Sequence, residues 1–123
     1  MDHDYTLVLD FPPSANTYYR TWRGRVLISK PGRDYRQHVV NAVACQDLVT
    51  LTGRLRVSIR LQAPTRRKYD IDNRIKCLLD AIEHAGVYAN DEAIDELTVV
   101  RGPVIRDGMC TVYIAVIGET ITN

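Results

Sequence analysis

Residues 54–62, RLRVSIRLQ, alternate without a break: Leu55, Val57, Ile59 and Leu61 fall on one side, and Arg54, Arg56, Ser58 and Arg60 on the other. A period of two is that of a strand with one buried face. Pro64 closes it, since proline cannot donate to a sheet. YTLVL at 5–9, RVLIS at 25–29, ELTVVR at 96–101 and MCTVYIAVIG at 109–118 predict four more strands. The period changes to 3.6 in two places. Tyr35, Val39, Ala42, Val43 and Gln46 lie near one face of a helix over about 33–49. Ile75, Leu78, Leu79, Ile82 and Ala85 make the stripe of a second over about 73–85, with Gly86 as its stop.

The segments between read as turns. FPPSANTYYR holds two prolines that forbid regular pairing and runs on into a basic connector, and Pro31-Gly32 reads as a break before the first helix. VYANDEAID reads as a polar loop, Gly102-Pro103 as a break and Asp107-Gly108 as a hairpin turn. The predicted order is β-β-α-β-α-β-β, an α+β fold (mixed α/β). Two helices cannot coat both faces of a wide sheet, so the economical architecture is one mixed β-sheet with two helices packed on one face.

A chain of 123 residues is expected to form one domain, 1–123. Hydrophobic residues at 46% and charged residues at 25% are ordinary for a globular protein. No apolar run reaches the roughly 18–20 residues that span a bilayer, so no membrane partner is expected. The start, MDHDYTLVLD, lacks a basic leader region, which makes a cytoplasmic location the expectation. Cys45, Cys77 and Cys110 are odd in number and widely spaced, which suits free thiols better than a disulfide framework or a zinc site.

Charge changes the picture. The net +1 conceals a basic middle: fourteen of the sixteen Lys and Arg fall between Arg20 and Lys76, against four acids, a local net charge of +10. Such asymmetry points toward a polyanion, since Lys and Arg contacts to phosphate supply most non-specific nucleic-acid affinity. A solvated basic face is the plainer reading.

The chemistry concentrates in Asp70-Ile71-Asp72-Asn73-Arg74-Ile75-Lys76. In extended chain, residues two apart point the same way, so Asp70 and Asp72 face one side together. Asp72 or Asn73 is placed to cap the second helix, and Lys76 follows Asp72 by one helical turn. A capping acid with a lysine one turn on is also common in purely structural helices. A second acidic group, Asn90-Asp91-Glu92 with Asp95-Glu96, follows that helix. If the next strand pairs beside residues 54–62, Asp91 is brought back to Asp70 and Asp72. Three clustered carboxylates repel one another, and a hard divalent cation, Mg²⁺ before others, relieves that. Spacing alone favours a solvated acidic loop for Asp91, Glu92, Asp95 and Glu96, the reading kept for Asp95 and Glu96. His3, His38 and His84 are scattered, and no Gly-rich phosphate loop or nucleophile motif occurs, so no small-molecule cofactor is expected.

These residues carry a resemblance. PPSANTYYR at 12–20, RGR at 23–25, DYR at 34–36, RRKYDIDNRIK at 66–76 and AGVYANDEAIDEL at 85–97 resemble, in order and spacing, the RusA family of Holliday junction resolvases. The resemblance implies a crossover junction endodeoxyribonuclease, a homodimer that uses Mg²⁺, with Mn²⁺ able to substitute, and makes paired symmetric nicks in four-way junction DNA during recombination and repair. It places the metal-binding acids on Asp70, Asp72 and Asp91 and a catalytic lysine on Lys76. It implies the cytoplasm of a bacterial, phage-infected or prophage-bearing cell. Asn90 departs from the pattern, since many relatives carry an acid there. Charge placement assigns DNA contact to Arg20, Arg23, Arg25, Lys30, Arg66, Arg67, Lys68 and Arg74, and Asn73 is counted with them. Tyr69 and Trp22, set in basic segments, are candidates for base stacking or for local packing. A structure-selective nuclease on forks or flaps and a non-catalytic branched-DNA-binding protein are the alternatives.

Overall fold

Six strands and three helices follow one another along residues 4–118, the part of the chain that the computed structural model describes. They are β1 (Tyr5–Leu9), α1 (Ala15–Tyr18), β2 (Tyr19–Trp22), β3 (Arg25–Ile28), α2 (Lys30–Ala44), β4 (Arg54–Gln62), α3 (Ile75–His84), β5 (Ile94–Arg101) and β6 (Met109–Gly118). Short 3₁₀ turns at Asp72–Arg74 and Asp91–Ala93 lead into α3 and β5.

The main sheet has the order β1-β6-β4-β5. β6 runs antiparallel to both β1 and β4, whereas β5 is parallel to β4, which makes the sheet mixed as expected. The alternation in β4 is realised residue by residue: Leu55, Val57, Ile59 and Leu61 are buried. Leu7, Leu9, Cys110, Val112 and Ile114 extend the same face, and Tyr35, Val39 and Val43 of α2 with Ile75, Leu78, Leu79 and Ile82 of α3 close one core against it. Each such side chain removed from water contributes roughly 1.5–3 kcal/mol, so this face holds the layers together. The three cysteines are free thiols; Cys77 and Cys110 are buried, and burial pushes Cys110 up to about 12. No helix among the described residues is long and apolar enough to cross a membrane.

Several expectations change. The basic connector is a hairpin: β2 and β3 pair as a separate two-stranded sheet, preceded by α1, whose N-cap Ser14 accepts from the Thr17 N–H. Pro31 does not break the chain before α2 but opens it, because a proline in the first helical turn gives up an N–H that has no intrahelical partner; Ser29 is the N-cap. That helix ends at Ala44, so Gln46 lies outside it. Val87 and Tyr88 are core residues, with Tyr88 Oη donating to the Leu79 carbonyl at 2.8 Å. Asp107-Gly108 is a turn, with φ of 68° and 72°, yet it joins no hairpin, because β4 lies between β5 and β6.

Candidate active site and nucleic-acid interface

The loop from β4 to α3 carries Asp70 and Asp72 at the start of the helix. Asp72 opens the 3₁₀ turn, whose N-cap is Ile71, while the N-cap of α3 is Arg74, and no side chain caps either one. Helix capping therefore does not explain the Asp72 carboxylate, contrary to the structural role that spacing allowed. Lys76 stands exposed on the first turn of α3.

The other end of α3 is built differently. Gly86, at φ 84°, takes the left-handed turn that ends the helix, with its N–H on the Glu83 carbonyl and that of Val87 on the Ile82 carbonyl. Asn90 then caps the next 3₁₀ turn, its Oδ1 accepting from the Glu92 N–H at 2.8 Å. The Asp91 N–H donates to Glu83 Oε1 at 2.7 Å, which fixes Asp91 beside the C-terminal end of α3. From residue 72 to residue 83, at about 1.5 Å per residue, is roughly 16 Å. β5 does pair with β4, but in parallel, so it begins where β4 begins and Asp91 stays at the far end from Asp70 and Asp72. Within one chain the three acids do not converge, and among the described residues no three His, Cys, Asp or Glu could hold a metal ion.

Side-chain pairing sorts the carboxylates. Arg54 clasps Asp95 Oδ1 at 2.6 Å, Glu92 Oε1 at 3.3 Å and the Glu92 carbonyl at 2.7 Å; Arg56 pairs with Glu96. Arg54 holds the Asp95 carboxyl below the usual range. Asp4, Asp10, Asp34, Asp80 and Glu83 are also engaged by hydrogen bonds or ion pairs. Among the described residues, Asp47, Asp70, Asp72, Asp91 and Asp107 are left with no side-chain hydrogen bond or ion pair. Asp47 and Asp107 occupy turns at positive φ, where aspartate is favoured for its backbone tolerance. The rest are Asp70, Asp72 and Asp91, all exposed. Free hard oxygen donors fit a divalent cation that keeps waters and uses one or two carboxylates.

Beside Asp70 opens a cleft of about 1040 Å³, shared by Ser14, Thr17, Arg67, Lys68, Asn73 and Arg101. Arg66, Arg67 and Lys68 are exposed on the loop above it. Arg74 and Tyr69 line the cleft too, but each has structural work. Arg74 Nη1 donates to the Pro12 carbonyl at 2.8 Å, with its guanidinium over Phe11 and Tyr69, while Nε is buried without a partner. Tyr69 meets Phe11 edge-on and lies under Arg101, 4.2 Å from the ring centre. Arg20, Arg23 and Arg25 are exposed on the β2–β3 hairpin, and Lys30 pairs with Asp34 at 2.8 Å on the surface. Ser14, Thr17 and Arg101 are cleft residues that sequence reading did not single out; no periodicity marks them.

The reading also missed a network that ties α1, at the root of the hairpin, to α2 and α3. Asp80 Oδ2 accepts from Tyr18 Oη at 2.8 Å and from Arg36 Nη2 at 2.7 Å, while Arg36 Nε donates to Tyr18 Oη at 2.7 Å. Burial pushes the Asp80 carboxyl up, but the Arg36 and Tyr18 hydrogen bonds, with charge from Arg36 and Lys76, outweigh it and hold it below its ordinary value. Burial raises Tyr18 well above 10, and lifts Tyr19 to about 12 with help from the negative charge of Asp80. No local spacing marks this network, because Tyr18, Arg36 and Asp80 lie far apart along the chain.

Comparison with known proteins bears on this site. Residues 10–117 match the family model described as Endodeoxyribonuclease RusA. The chain is 37% identical, over 86% of its length and 89% of the relative's, to the crossover junction endodeoxyribonuclease RusA of Enterobacteria phage HK97. It is 34% and 35% identical to the proteins of that name from Escherichia coli O139:H28 (strain E24377A / ETEC) and Shigella sonnei (strain Ss046), over 94% of this chain and 97% of each relative. With a basic cleft that the unpaired Asp70 lines, and a match that runs through it, the chain belongs to the RusA family of endodeoxyribonucleases.

Proposed function

We propose that the chain resolves four-way DNA junctions as a homodimer that requires Mg²⁺, with Mn²⁺ able to substitute, each subunit nicking one strand so that paired symmetric nicks release two duplexes. The relatives' name, crossover junction endodeoxyribonuclease, supports the substrate class. The observation that carries the chemistry is the set of unpaired carboxylates: Asp70, which lines a basic cleft, Asp72 beside it at the start of α3, and Asp91 at the other end of that helix.

Asp70 and Asp72 are the residues that would hold the cation from one subunit. A bound divalent cation neutralises charge at the phosphate and makes an attacking water more acidic. Lys76, one turn beyond Asp72, offsets negative charge growing on the phosphate. Arg66, Arg67 and Lys68, with Asn73 lining the cleft, hold the flanking backbone, and Arg20, Arg23, Arg25 and Lys30 extend that grip.

Asp91 argues for the dimer. A two-fold axis passing outside α3, beside its middle and perpendicular to it, would set the C-terminal end of one subunit's helix against the N-terminal end of the other's, so that Asp91 of the partner subunit faces Asp70 and Asp72 and two equal sites arise, one for each strand. The whole chain acts as one domain, in the cytoplasm of a bacterial or phage-carrying cell, as the organisms of the relatives suggest. The test is Asp72→Asn. A mobility shift with junction DNA in chelator is expected at wild-type strength or tighter, since a charge that repels phosphate is gone, while cleavage with Mg²⁺ disappears. Loss of binding together with cutting would remove the assigned role.

A further inference from the structure

We propose that Trp22 stacks on the base face that a four-way junction exposes at its branch point; this rests on the junction reading above. β2 and β3 pair with Tyr19 opposite Ile28, Arg20 opposite Leu27, Thr21 opposite Val26 and Trp22 opposite Arg25. The two linking residues, Arg23 and Gly24, have φ of 49° and 74°, so the turn is of type I′, which matches strand twist and fixes the tip.

Directly opposed residues share a face, and faces alternate along each strand. Tyr19 and Ile28 turn inward and pack against the core. Trp22, Arg25, Arg20 and Leu27 therefore share the outward face, and Trp22 is 55% exposed. Its ring meets the Arg23 guanidinium at 5.3 Å. No acid occurs between Tyr19 and Ile28. The root is braced: Ser29 Oγ donates to the Thr17 and Tyr18 carbonyls, and Tyr18 Oη is held by Asp80 of α3 and Arg36 of α2.

A large aromatic left in water at the end of a braced finger whose charged side chains are all arginines is a combination that binds nucleic-acid bases: arginines take the backbone and the ring takes a base face. A continuous duplex hides those faces in its stack, whereas a branch point interrupts the stack. Trp22 is thus a specificity residue, discriminating the junction from linear DNA.

Trp22 is the single tryptophan of the chain, so its emission reports on this site alone. Wild-type protein in EDTA is titrated with a four-way junction and with linear duplex, following dye anisotropy on the DNA and tryptophan emission in parallel. Junction binding is expected to quench or shift the emission, and linear duplex at equal saturation to do so much less. Trp22→Ala should weaken junction affinity about 5- to 100-fold and duplex affinity by less than about 2-fold, with Trp22→Phe recovering most of the loss. Junction binding by anisotropy with unchanged emission, or with Trp22→Ala as tight as wild type, overturns the stacking role and leaves the junction reading intact. Absence of junction binding altogether removes both. Emission that changes on dilution of the protein without DNA, with a shifted oligomer size for Trp22→Ala, would place the ring in a subunit interface instead and also overturn it.

Discussion

Mixing two inactive variants tests whether the acids meet across subunits. Asp70→Asn and Asp91→Asn, each made alone, are expected to lose cleavage. Two carboxylates on one Mg²⁺ bind at about 2.1 Å each, which places their oxygens within roughly 4 Å of one another. The length of α3 separates Asp72 from the Asp91 end by roughly 16 Å, about four times that. If both ends contribute to a site, the contribution is between chains. In a heterodimer of the two variants, one site then combines both substitutions and the other has neither. With the variants co-expressed under different tags and random pairing, about half of the dimers are mixed, and roughly a quarter of all sites are intact. Purified mixed dimers should nick a labelled junction once, on one strand, and denaturing gels should show nicked junctions in place of resolved duplexes. A mixed dimer of verified composition that makes no cut would refute the shared site, and Asp91→Asn cutting alone at wild-type rate would remove Asp91 from the ligand set.

Because Asp72 caps no helix, Asp72→Asn should leave thermal stability within about 0.5 kcal/mol of wild type, checked by its melting curve. Asp80→Asn should cost about 1–3 kcal/mol at neutral pH by unpairing Arg36 and Tyr18, read from urea unfolding. A carboxylate held below its unfolded value stabilises the fold at every pH above the ordinary 3.8, and that contribution fades as pH falls through the depressed folded value. The gap between wild type and Asp80→Asn should therefore be full at pH 6 and shrink toward pH 3; a gap that grows on acidification would contradict the sign. Arg54→Met frees Glu92 and Asp95 and loosens the turn that presents Asp91, so the single-turnover cleavage rate should drop about 10- to 100-fold while junction affinity changes by less than about 2-fold.

Which features were legible follows from how far each signal reaches. β4 and β6 announced themselves because one face or a long run of each is buried, and pattern records burial directly. The stripe of α3 did the same, and the β4–β5 pairing was considered as the condition for bringing Asp91 back. The direction of that pairing was not legible, since periodicity is identical for parallel and antiparallel neighbours, and on direction hangs the placement of Asp91. The β2–β3 hairpin escaped notice because Arg-Gly is not the Asn-Gly or Asp-Gly that marks such a turn, and because only its root touches the core. Val87 and Tyr88 look like loop residues from their polar neighbours, and only the return of the chain under α3 buries them. For the acids, the sequence could not say which of Asp91, Glu92, Asp95 and Glu96 were free; the reach of Arg54 and Arg56 across the parallel pair decides it.

The most direct test of the account is cleavage of a synthetic four-way junction, beside a linear duplex and a fork, by wild type and Asp70→Asn, in Mg²⁺ and in EDTA, with cut positions mapped on all four strands. Paired nicks at symmetric positions on opposing strands, absent with EDTA and absent in Asp70→Asn, are the predicted result. Junction binding without nicks in Mg²⁺, or equal cutting of the fork and the junction, would contradict it.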